Sequence, residues 1–124
     1  MKQTVAILGA SNKPDRFAYK AFQMLKEYGH NPVPVGQNLQ TLEGYKVYEK
    51  LADIPVPVET LTMYLRAEIS SKIKDEILKL NPKRVIFNPG TENPELVEAL
   101  EKQGVHIVED CTLVLLKTNQ FETA

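Results

Sequence analysis

The chain has 124 residues, enough for one domain with one hydrophobic core. A hydrophobic share of 43% excludes a disordered chain, and 15 basic against 16 acidic side chains exclude a general attraction to nucleic acid or to an anionic membrane. No apolar run is long enough to cross a membrane, none reads as a secretory leader, and the single Cys111 cannot close an internal disulfide, so a reducing cytoplasm is the expected compartment.

In chain order, residues 4–8 (Thr-Val-Ala-Ile-Leu) read as a strand buried on both faces, as in a parallel sheet. A tight turn at Gly9-Ala10-Ser11 leads at once into a helix. Its apolar positions Phe17, Ala18, Ala21, Phe22, Leu25 and Tyr28 recur at spacings of three and four, and Gly29 ends it. Pro32-Val33-Pro34-Val35 is a short second strand near a sheet edge, because proline cannot donate to a ladder.

Residues 36–59 hold no long helical pattern. Lys46-Val47-Tyr48 reads as a short edge strand and Glu49–Ala52 as at most one helical turn, while Leu39, Leu42, Val47, Tyr48, Leu51 and Ile54 hold the segment to the core. An ordered segment of this kind often carries function. Residues 60–65 are the next strand. A helix with Ile69, Ile73, Ile77 and Leu80 on one face follows, ended by Asn81-Pro82. Arg84–Asn88 is a further strand and Pro89-Gly90 a turn. Asn93-Pro94 opens a third helix with Leu96, Val97, Ala99 and Leu100 inward, ended by Gly104. Residues 105–108 are the last strand, and the apolar run 112–116 must be buried. There is no internal repeat, linker or low-complexity segment.

Strands alternating with helices predict an α/β fold: one open, mostly parallel, Rossmann-like sheet with helices on both faces, spanning residues 1–124 as a single domain. Ligands of such sheets bind beyond the carboxyl ends of the strands, where the strand order reverses. Loops 9–16, 35–38, 65–67 and 88–92 are therefore the candidates. Charge agrees with that placement. Residues 1–46 carry six basic and three acidic side chains, whereas residues 47–124 carry nine and thirteen.

A dinucleotide turn would need further glycines at positions 11 and 14, and the chain has Ser11 and Pro14. The acidic residue that binds the ribose of NAD at the end of the second strand is missing from Val35-Gly36-Gln37-Asn38, and so is the arginine that NADP would want. Both standard dinucleotide signals fail.

The order and spacing of Gly9-Ala10-Ser11, Pro14, Arg16, Pro34-Val35, Gly44-x-Lys46-x-Tyr48, Leu51–Pro55, Arg66 and Asn88-Pro89-Gly90-x-Glu92 resembles the small CoA-binding domains. These share their fold with the N-terminal domain of the succinyl-CoA synthetase α subunit. The resemblance covers nearly the whole chain. It implies a Rossmann-like fold and a site for the adenosine diphosphate part of coenzyme A or acyl-CoA, without catalysis by this chain alone. The family commonly has a lysine soon after an Asn-Pro beyond the second strand, a natural partner for the 3′-phosphate. Here Gly36-Gln37-Asn38-Leu39-Gln40 has none, which leaves Lys13, Arg16 and Lys46 to compensate.

Roles follow from residue type. Gly9, with Ala10, lets the backbone approach a pyrophosphate. Ser11 caps the turn or donates to a phosphate, and Lys13 and Arg16 neutralise phosphate charge. Val35 and Gly36 wall an adenine, Arg66 reaches the phosphates or the base, and Asn88, Pro89 and Gly90 close the floor. Each has a plainer reading: a strand-to-helix turn, solvated surface charge, turn chemistry. Cys111 has no basic neighbour and reads as a buried structural thiol. His30 and His106 belong to no metal spacing, and no catalytic triad is visible. The expected partner is a small nucleotide ligand, with no nucleic acid and no membrane. The alternatives are an NAD(P)-binding or redox-sensing module, a subunit of an enzyme needing a separate partner chain, and an interaction protein that has lost its ligand.

Overall fold

A computed structural model describes residues 2–124. Five parallel strands form the main sheet: β1 (Thr4–Leu8), β2 (Asn31–Val35), β5 (Thr60–Met63), β6 (Arg84–Phe87) and β7 (His106–Glu109), in the order β2-β1-β5-β6-β7. The chain runs outward from β1 to β2, then returns to the other side of β1 as β5. The strand order therefore reverses between β1 and β5.

Alternation along the strands divides the core into two layers. Val5, Ile7 and Ile86 pack with Phe22 and Leu25 of α1 (Phe17–Glu27) and with Leu115 and Leu116 of α5 (Thr112–Lys117). Ala6, Leu8, Leu61, Met63, Val85 and Phe87 pack on the opposite side with Ile77 of α3 (Lys74–Leu80) and with Leu96 and Leu100 of α4 (Pro94–Lys102). The fold is the expected Rossmann-like α/β architecture, with helices on both faces.

Several elements depart from expectation. The apolar run 112–116, to which the sequence assigned burial but no element, is a short helix that buries Leu113, Leu115 and Leu116 on a helical period and leaves Val114 exposed. The central helix is broken into α2 (Ala67–Ser70), a 3₁₀ turn (Ser71–Ile73) and α3. The break sits where the Asn93 amide donates to both Ser70 Oγ (2.9 Å) and Ser71 Oγ (3.0 Å). Asn93 meanwhile caps α4 through the backbone N–H of Leu96. α1 starts at Phe17 rather than directly after the glycine turn, and Phe17 is 65% exposed instead of packed.

Residues 41–46 form a hairpin, β3 (Thr41–Leu42) and β4 (Tyr45–Lys46), turned by Glu43 and Gly44 at φ +48° and +86°. Beyond it Tyr48 makes a parallel bridge to Val35, extending the sheet past β2, and a 3₁₀ turn covers Leu51–Asp53.

Candidate functional site

The loops after β1 and β2 are stitched together at the reversal point. The backbone N–H groups of Gly9 and Ala10 both donate to the Val35 carbonyl at 3.0 Å. Gly9 has φ +98°, and a Cβ there would lie 3.0 Å from Leu65 Cδ2 and 3.1 Å from the Tyr64 carbonyl carbon and oxygen. Any side chain would push the turn off the end of β5. Gly36 approaches as closely on the other side, where a Cβ would stand 3.1 Å from the Ala10 carbonyl oxygen. Glycine is needed here for backbone packing before any ligand is considered.

Two clefts open from this junction. The first, about 810 Å³, lies between loop 9–16, the first turn of α1, residues 64–69 and residues 89–91. It holds the cations Lys13, Arg16 and Arg66 against one carboxylate, Asp15. Lys13 and Arg16 are exposed and carry no ion pair among the described residues. Arg66 Nε lies 3.1 Å from Glu68 Oε2, an exposed pair that competes weakly with a bound anion. The first turn of α1 has neither a side-chain cap nor an acidic residue, so its N–H groups and positive dipole end remain available.

The second cleft, about 500 Å³, shares Gly9, Leu65 and Ile69 with the first. Its walls are apolar: Leu8, Ala10, Val35, Leu51 and Ile73, with Gly36 at the end of β2. Glu49, Lys50 and Glu76 are its charged groups.

The expected site residues divide between these clefts. Gly9, Ser11, Lys13, Arg16, Arg66, Pro89 and Gly90 line the first; Gly9, Ala10, Val35 and Gly36 line the second. Ser11 Oγ accepts from the Lys13 backbone N–H at 3.1 Å, which leaves its own hydrogen to donate elsewhere. Asn88 lines neither. Its amide nitrogen donates to Thr62 Oγ1 (2.7 Å) and to the Met63 carbonyl (2.8 Å), and its oxygen accepts from Thr112 N (2.8 Å). It is a buried clasp between β5, β6 and α5, lying behind the cleft floor. Lys46 also lies away from both clefts, its ammonium 5.3 Å from the Tyr48 ring centroid. Cys111 is half-buried at the N-cap of α5 instead of fully buried.

The structure adds residues that the local pattern concealed. Tyr64 reads as strand, yet β5 ends at Met63 and Tyr64 lines the cationic cleft beside Leu65 of the candidate loop 65–67. Burial pushes the Tyr64 hydroxyl up to about 12, although hydrogen bonds to Thr112 and Thr62 partly offset this. It is therefore a neutral hydrogen-bonding group at ordinary pH. Glu49 and Lys50 reach the second cleft through the Tyr48–Val35 bridge, a long-range pairing that no local spacing signals. No histidine or cysteine lines either cleft, and no group of metal-binding side chains occurs among the described residues.

Residues 3–117 match the family described as CoA binding domain. The chain is 23% identical to the uncharacterized protein YneT of Bacillus subtilis, covering 86% of this chain and 78% of that one. It is 29% identical to the α subunit of the ADP-forming acetate–CoA ligase II of Pyrococcus furiosus, over 84% of this chain but only 25% of the subunit. Among solved structures, an uncharacterized protein superposes with TM-score 0.92 at 40% identity, covering 98% of this chain and 99% of that one. A Thermus thermophilus protein superposes with TM-score 0.89 at 30% identity, covering 97% and 91%.

Proposed function

Because this chain belongs to the CoA binding domain family, we propose that residues 1–124 form one binding module for the adenosine diphosphate part of CoA or acyl-CoA, non-catalytic on its own. The observation that carries this reading is the meeting of a cationic and an apolar cleft at Gly9. A pyrophosphate joined to an adenosine has the same division. Lys13 and Arg16 take the pyrophosphate, with Ser11 and the free first turn of α1 donating hydrogen bonds. Adenine fills the second cleft against Val35 and Leu51. The pantetheine arm leaves past Pro89 and Gly90, and Arg66 stands over the path.

Binding, with no bond made or broken, fits the chemistry of the linings, which supply phosphate donors and apolar walls but neither a thiol nor an imidazole. No helix among the described residues is long and apolar enough to cross a membrane, in keeping with a cytoplasmic module. A second reading, a subunit completed by a separate chain, draws support from one fact: the match to the ligase subunit covers a quarter of that protein.

Calorimetric titration with CoA, NAD and NADP tests the proposal. CoA should bind most tightly of the three. Tighter binding of NAD than of CoA would overturn it.

A further inference from the structure

The two clefts differ in charge as well as in polarity. Three cations line the first, whereas Lys50 is the lone cation of the second and stands with two carboxylates, Glu49 and Glu76. Neither carboxylate has an ion pair among the described residues. The loop that leaves β2, residues 36–40, is uncharged throughout.

The position of Glu49 is set by the sheet. Tyr48 N donates to the Pro34 carbonyl and Gly36 N donates to the Tyr48 carbonyl, each at 3.0 Å, so residues 47–49 run beside the end of β2. Gln37 Nε2 then holds the Glu49 carbonyl at 3.2 Å. A carboxylate missing from the second strand is thereby delivered to the same end of the sheet by its neighbour. Glu76 approaches from α3 on the far wall.

Resting on the adenosine diphosphate reading, we propose that the apolar cleft selects an adenosine whose ribose hydroxyls carry no phosphate, with Glu49 as the residue that discriminates. A carboxylate accepts hydrogen bonds from ribose hydroxyls. A phosphate monoester in their place brings nearly two negative charges and repels it. The ligand class is thus CoA without its 3′-phosphate, 3′-dephospho-CoA, whose pantetheine arm NAD lacks.

The test compares CoA with 3′-dephospho-CoA by calorimetry at low and high salt, for wild type, Glu49→Gln and Glu76→Gln. Dephospho-CoA should bind wild type about tenfold more tightly at low salt, a gap that salt narrows. Glu49→Gln should close most of it by strengthening CoA binding. Circular dichroism identifies a variant that fails to fold, and the other carboxylate variant then reports. Equal or tighter binding of CoA by wild type overturns the selectivity alone, as does a gap that persists in a folded Glu49→Gln. Binding of neither ligand overturns this inference together with the function on which it rests.

Discussion

Arg16 stands at the N-cap of α1, exposed at the mouth of the cationic cleft and without an ion pair among the described residues. Arg16→Ala should weaken CoA binding about tenfold or more, since a charge-assisted hydrogen bond contributes roughly 1.5–3 kcal/mol. Urea unfolding should shift by no more than about 0.5 kcal/mol, as for most exposed substitutions. Asn88 should behave in the opposite way. Truncation to alanine takes one hydrogen-bond partner from Thr62 Oγ1, from the Met63 carbonyl and from the Thr112 amide in a buried place. Asn88→Ala should therefore cost about 2–3 kcal/mol in urea unfolding. The contrast marks what the sequence discloses. Arg16 is legible in its place, because the loop after β1 carries it to the cleft at the strand reversal. Asn88 is legible as a conspicuous residue but not in its role, because the partners of its side chain are all distant in sequence.

At the scale of elements, alternation and glycine punctuation made the five strands and the flanking helices readable. What they concealed was decided by contacts far apart in the chain: the break at Ser70-Ser71 answers to Asn93, and the hairpin 41–46 rests against α1. There Glu43 accepts hydrogen bonds from Tyr19 and Gln23, which holds its carboxyl below the usual range. His30, between α1 and β2, shows the thermodynamic effect of such packing. Its Nδ1 accepts from Gln3 N at 3.0 Å, and its ring packs 4.9 Å from that of Phe121. Burial, reinforced by the charge of Lys2, holds it below its ordinary 6.5. The unfolded chain thus takes up this proton first as pH falls. The contribution of His30 to stability is whole above about pH 6.5 and diminishes below it. Urea midpoints at pH 7.5 and 5.5 should show this loss, and His30→Gln should flatten it.

For the molecule as a whole, the glycine turn and the rule of strand reversal pointed to one end of the sheet, and two clefts open there. The sequence did not disclose that the clefts are two, because the Tyr48–Val35 pairing brings in Glu49 and Lys50 and α3 brings in Glu76. With no thiol or imidazole in either cleft, the purified protein should release no free thiol from a panel of acyl-CoA thioesters above the uncatalysed rate. A Cys111→Ala control would identify turnover due to that residue, and turnover lost in the control would make the chain an enzyme.

The shared acceptor at Val35 bears on motion. Because one carbonyl of β2 holds the amides of both Gly9 and Ala10, solvent deuterium should reach those two amides only when the edge of the sheet detaches as a unit. Their exchange should therefore keep pace with that of Tyr48 and Gly36, whose amides close the same edge. A ligand seated across Gly9 would slow all four together, though it touches only some of them. A loop that looks like an independent turn would then open and close on the clock of the outermost strand.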